Sequence, residues 1–157
     1  MKIKLFFVGK TVEKYLQEGI GIYRDRLRHY ASFEICEIPD LKQTASLRED
    51  QIKVREGEMI LKNLKPSDYV ILLDERGRMF SSIEWARDLE QRTSHTQGDV
   101  VFVVGGPYGF SEDVYSRAND KISLSRMTFS HQMVRLIFIE QLYRAFTIMK
   151  GEPYHHE

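Results

Sequence analysis

The glycine pair Gly105-Gly106 follows directly on the β-branched run Val100 to Val104, and the segment continues Pro107-Tyr108-Gly109. A glycine pair has no Cβ, so a ligand can lie directly against its backbone. A buried strand that empties into such a turn is where an α/β sheet takes a small molecule. A second loop, Ser125 to His131, follows the strand-like piece Lys121 to Leu124 and leads into a long apolar helix. Ser130 is placed to cap that helix, which puts His131 in the first turn, where the helix dipole disfavours a charged imidazole. Arg135 and Arg144 stand on the same helix with Glu140 between them. A charge among apolar neighbours needs a partner. Either Glu140 pairs with Arg144 at i, i+4, or one arginine faces a cleft and holds phosphate. The chain closes with Pro153-Tyr154-His155-His156, which is either a frayed tail or one more set of reactive groups.

Several chemistries lack their signatures. The glycine segment is neither G-x-G-x-x-G nor G-x-x-x-x-G-K-[ST], so neither a dinucleotide fingerprint nor a P-loop is indicated. No nucleophile elbow and no Ser-His-Asp order occurs. The two histidines at the end have no Cys pair and no H-x-x-x-H helix beside them, so no metal is expected.

These loops need a scaffold. Lys2 to Val8 reads as a strand, Val12 to Tyr30 as a helix and Glu34 to Ile38 as a half-exposed strand, with loop from Leu41 to Leu47. Arg48 to Asn63 reads as a charged surface helix, Tyr69 to Leu73 as an apolar strand and Glu75 to Arg78 as a turn. Ser81 and Glu84 match a capping box that opens a helix to about Arg92. Ser111 caps a short helix to about Arg117, and the last helix spans about Gln132 to Met149. Strands alternating with helices predict an α/β fold, a mostly parallel sheet with helices on both faces. The runs Val70 to Leu73 and Val100 to Val104 lack polar alternation, as central strands do. Leu136-Ile137-Phe138-Ile139 point around most of a helix circumference, more than one packing face can bury, so a homodimer through this helix is expected.

At 157 residues with one cysteine, the chain reads as one domain over residues 1–157 that needs no disulfide. No apolar run approaches the ~20 residues of a membrane span, and the N-terminal apolar run is too short for a signal peptide. A cytoplasmic protein without a membrane partner is expected. Net charge is zero, with 23 basic and 23 acidic residues. The ends are basic and the middle is acidic: seven Lys/Arg against three Asp/Glu in 1–30, ten against sixteen in 31–114, six against four in 115–157. Strong generic attraction to nucleic acid is therefore not expected.

Taken in order, Val104 to Gly109, Ser123 to Gln132, Glu140-Gln141-Leu142-Tyr143-Arg144-Ala145 and Pro153-Tyr154-His155 resemble the RlmH family of small SPOUT-class methyltransferases. The resemblance runs from Lys2 to the C-terminus. It implies a SPOUT-type C-terminal trefoil knot, which no periodicity predicts. It implies S-adenosylmethionine as methyl donor, held by Leu73, by Gly105 and Gly106, and by Leu124, Ser125, Arg126, Met127, Thr128 and Phe129. It implies a homodimer whose partner is the ribosome, the target being N3 of a pseudouridine in 23S rRNA of the assembled particle. The catalytic cluster it implies is His131, Arg144, Tyr154 and His155. Arg144 is assigned to RNA contact or anion stabilisation, His155 to proton handling and Tyr154 to stacking on the base. Ser130 departs from a common proline of the family, and His156 from a common Lys or Arg, so an RNA contact at His156 should weaken as pH rises. A nucleotide-binding or ribosome-associated module without catalysis would share the cleft, and only methyl transfer separates the two.

Overall fold

A computed structural model describes residues 2–156. Five strands, β1 (Ile3–Val8), β2 (Phe33–Ile38), β3 (Tyr69–Met79), β4 (Val100–Val104) and β5 (Asp120–Ser123), alternate with helices. The helices are α1 (Lys14–Leu27), α2 (Glu49–Lys62), α3 (Ser82–His95), α4 (Glu112–Arg117) and α5 (Met133–Met149). All strand pairs are parallel, in the order β2-β1-β4-β3-β5. The α/β layering expected from the alternation is what forms.

Period-two side-chain alternation divides the apolar strands between two cores. Ile3, Leu5 and Phe7 of β1 and Val100, Phe102 and Val104 of β4 face α1, α3 and α5. On that side the Phe102 ring packs between Trp85 and Phe138, with centroids 6.1 and 4.8 Å apart. Phe6, Val8, Val101 and Val103 face the other way, toward Ile60 of α2 and Val114 of α4. The capping box forms as expected: Ser81 Oγ accepts from the Glu84 N–H at 3.2 Å, and Glu84 Oε1 accepts from the Ser81 N–H at 3.1 Å. The α3 helix continues to His95, one turn past the expected end at Arg92.

Two local expectations change, and one open alternative is decided. Glu75 to Arg78 is not a turn: β3 runs on to Met79, and β5 pairs with it twice, Leu73 opposite Ile122 and then Arg78 opposite Ile122 again, across a bulge. Gly77 makes this possible, because a Cβ there would lie 2.6 Å from the Ile122 backbone. The loop from Leu41 to Leu47 contains a 3₁₀ turn, Thr44–Ser46. The tail is held rather than frayed, for reasons given below. Among the described residues no helix is long and apolar enough to cross a membrane.

Candidate active site

Leu73 pairs with Val104 on one side and Ile122 on the other, so the bulge of β3 after Leu73 lies beside the exits of β4 and β5 at one end of the sheet. The exits enclose a cleft of about 1060 Å³. Leu73, Gly105, Gly106, Leu124, Ser125, Met127, Thr128, Phe129 and His131 all line it. Arg126 does not; it is exposed beyond the lining. Two hydroxyls shape the third loop. Ser123 Oγ donates to the Ser125 carbonyl at 3.0 Å, and Ser125 Oγ accepts from the Met127 N–H at 2.9 Å. On the rim, the Tyr115 hydroxyl bonds Asp74, and the Arg76 guanidinium lies 4.9 Å over the Tyr115 ring. The Tyr115 hydroxyl is pushed up by burial and by Asp74, so it stays protonated as the donor.

Ser130 Oγ accepts from the Met133 N–H at 3.0 Å, the capping role read from the sequence. The helix proper begins at Met133, and His131 occupies the turn leading into it. That turn is fastened to the loop after β1. Gln132 Oε1 accepts from the Val12 N–H at 2.9 Å, and its amide donates to the Lys10 carbonyl at 3.1 Å. Arg135 donates to the carbonyls of Val8, Gly9 and His131 and to Thr11 Oγ1.

His131 is pushed below the ordinary histidine range, first by burial and then by the Arg135 charge, with Asp40 opposing. A histidine depressed in the folded state makes the unfolded chain bind more protons, so stability rises with pH through that interval. His131→Gln should flatten the pH dependence of the urea midpoint between roughly pH 5 and 7. An unchanged slope would exclude this assignment of the titration.

Arg144, Tyr154 and His155 form a second cluster, outside the residues that line the cleft. Arg144 Nη2 bonds Glu140 Oε1 at 2.7 Å, the i, i+4 pair that is the first of the two alternatives the sequence leaves open. Its Nη1 approaches His155 Nδ1 at 3.0 Å. A guanidinium only donates, so Nδ1 accepts and the His155 proton sits on Nε2. The Tyr154 hydroxyl donates to Glu140 Oε1 at 2.9 Å and lies 3.2 Å from the Tyr23 hydroxyl. Its ring lies under Arg144, 4.8 Å from the guanidinium carbon, and edge-on to Tyr143. Burial, with Tyr23 and Glu140, raises the Tyr154 pKa and keeps its proton on. These contacts hold the tail, and they engage the Tyr154 ring that the sequence assigns to base stacking.

Asp74, Arg76 and Tyr115 were not singled out from the sequence. Each looks like a solvated residue until β3 extends and α4 docks. Glu56 escaped in the same way: on a charge-rich helix it reads as surface, yet it is 9% exposed. Among the described residues no group of three or more His, Cys, Asp or Glu side chains is placed to hold a metal ion.

A family model described as a predicted SPOUT methyltransferase matches residues 1–155. A protein of Christiangramia forsetii named ribosomal RNA large subunit methyltransferase H is 58% identical over 156 residues, covering 99% of each chain. A protein of the same name from Parabacteroides distasonis is 57% identical over 157 residues, covering 100% of each. Among solved structures, a probable methyltransferase from Bordetella pertussis Tohama I superposes with a TM-score of 0.57 at 12% identity, over 92% of this chain and 94% of that one. A tRNA (m1G37) methyltransferase from Aquifex aeolicus gives 0.55 at 13% identity, over 100% of this chain and 76% of that one. At such identities the likeness is one of fold.

Proposed function

We infer the reaction from one premise: this chain belongs to the SPOUT methyltransferase family. The reaction is transfer of a methyl group from S-adenosylmethionine to N3 of a pseudouridine in a stem-loop of 23S rRNA, in the assembled ribosome in the cytoplasm. The observation that carries this is the full-length identity with ribosomal RNA large subunit methyltransferases H. The C-terminal trefoil knot belongs to the same proposal.

The cleft suits a donor of that size and kind. The β3 bulge and the exits of β4 and β5 converge on it, and Gly105 and Gly106 present backbone without side chains to it. When bound, the donor supplies a methyl group already activated by its sulfonium. The protein must place it and favour the N3 anion of the base. Leu73, Gly105, Gly106 and the Leu124–Phe129 loop hold the donor. Arg126, beyond the lining, is assigned to that loop's outer surface and not to donor contact. Arg144 stabilises the developing anion, and His155 Nδ1 holds its guanidinium in place. His131, kept neutral by burial, is the group suited to accept the N3 proton.

The Arg144 cluster does not line its own chain's cleft. A homodimer through α5 brings one protomer's cluster to its partner's cleft. Apolar surface supports this: Leu136 and Ile137 are only half-buried while Phe138 and Ile139 are fully buried, and Tyr15 and Ile22 of α1 are 59% and 53% exposed. The deciding experiment is transfer of radiolabelled methyl to intact ribosomes, separated subunits and free RNA. Intact ribosomes should be labelled and free RNA should be a poor acceptor, as expected of a chain with no net charge. No labelling of any acceptor would refute the assignment.

A further inference from the structure

Glu56 is the one carboxylate of α2 that is buried, and among the described residues its Oε1 has no hydrogen-bond partner. It lies against the cleft's back wall: the position where a Gly106 Cβ would stand is 2.5 Å from Oε1 and 3.0 Å from Oε2. Only a bare glycine therefore separates this carboxyl from whatever rests on Gly106. Burying a carboxylate without a partner is costly, and burial, followed by Asp40, raises the Glu56 pKa. The cleft mouth repeats the preference for positive charge, with Glu49, Asp50, Asp74, Glu75 and Glu112 against Lys53 and Arg76.

We propose that Glu56 is the counter-charge for a sulfonium cation held against Gly106, and that it lets the cleft distinguish the methyl donor from its uncharged thioether product. The proposal rests on the donor assignment above. A cation across the glycine favours the ionised carboxylate, so binding the donor lowers the Glu56 pKa and releases a proton over the pH range in which the free carboxyl is partly protonated. The product has no charge on sulfur and drives none. After transfer the carboxylate faces a neutral sulfur, and the product is released in preference to the donor.

Other charges bear on the same region and set the controls. Asp40, after β2, acts on Glu56, and it also acts on His131 and Arg135 at the start of α5. Lys53 lies one turn earlier on α2. From the α4 side the contact beside Glu56, at Gly57, is the neutral hydroxyl of Ser111.

The test is calorimetric titration of the full-length protein with S-adenosylmethionine and with S-adenosylhomocysteine, in buffers of different ionisation enthalpy, over roughly pH 5 to 8. The wild type should release a proton with the donor and not with the product. Glu56→Gln should abolish that release and lower the preference for donor over product about tenfold, the effect of a one-unit pKa shift. If both ligands bind and Glu56→Gln changes neither quantity, the released proton belongs to Asp40 or His131 and the proposal is wrong. If the variant does not fold, the wild type decides alone: equal proton release with both ligands overturns it. If neither ligand binds the wild type, the donor assignment fails first and this inference falls with it.

Discussion

Arg135→Met should cost about 3–5 kcal/mol of folding stability, a large part of the 5–15 kcal/mol available to a domain. Arg135 is 1% exposed, the largest fully buried side chain in the described structure. Among the described residues no carboxylate stands within salt-bridge distance of it. Its charge is held instead by oxygens that are neutral: the Val8 carbonyl at 2.9 Å, the Gly9 and His131 carbonyls at 3.1 Å, and Thr11 Oγ1 at 3.1 Å. The guanidinium carbon also lies 3.9 Å from the centre of the Phe7 ring. Methionine fills the volume but leaves the Val8, Gly9 and His131 carbonyls without these donors, at about 1–3 kcal/mol for each buried group that finds no other partner. Arg135→Lys keeps the charge but not the planar fork and should recover only part of the loss. Urea unfolding of the three proteins checks this. A loss below about 1 kcal/mol for methionine would mean that water replaces the fork. The same substitution removes the charge that helps depress His131, so its titration should move up toward the ordinary histidine range.

That buried arginine also marks where sequence reasoning stops. The run Val100 to Val104, the Ser81–Glu84 box, the Ser130 cap and the Glu140–Arg144 pair were legible because each depends on residues within a few positions of one another. Arg135 was recognised as a charge needing a partner, but its partners lie up to 127 residues away, and three of the four are carbonyls, which every residue carries. Nothing in a side-chain pattern selects among them. The continuation of β3 through Arg76-Gly77 was missed for a related reason. Glu75-Arg76-Gly77-Arg78 has the composition of a turn, and what extends it is the β5 backbone lying where the Gly77 side chain would be. Glu56 is the same case: its helix is charge-rich, and only the missing side chain of Gly106 makes a buried place for it. The cleft-forming loops were visible because glycines and strand ends announce themselves. The charges that tune the cleft are set by approach between distant segments.

Arg144→Ala should lower single-turnover methyl transfer to ribosomes about 10²–10³-fold, the loss typical of removing one donor aimed at a developing anion. The argument lies in how the side chain is held. Glu140 fixes one end of the guanidinium at 2.7 Å, His155 Nδ1 engages the other at 3.0 Å, and the Tyr154 ring supports its face. A charge so oriented needs no reorganisation when the N3 anion forms. Because His155 Nδ1 holds the guanidinium, His155→Ala should also slow transfer, and Tyr154→Phe should likewise act mainly by loosening Arg144. Donor binding should be unaffected by Arg144→Ala, since Arg144 does not line its own cleft. That separation permits a sharper measurement. Co-expression of an Arg144→Ala chain with a Gly106→Val chain, whose added side chain collides with Glu56 and displaces the cleft wall, gives a mixed dimer. If cluster and cleft act across the interface, one of its two sites is intact and it should show about half the wild-type rate. If they act within one chain, neither site is intact and the mixed dimer should be as inactive as either parent. A wild-type rate for Arg144→Ala alone would remove the residue from the mechanism altogether.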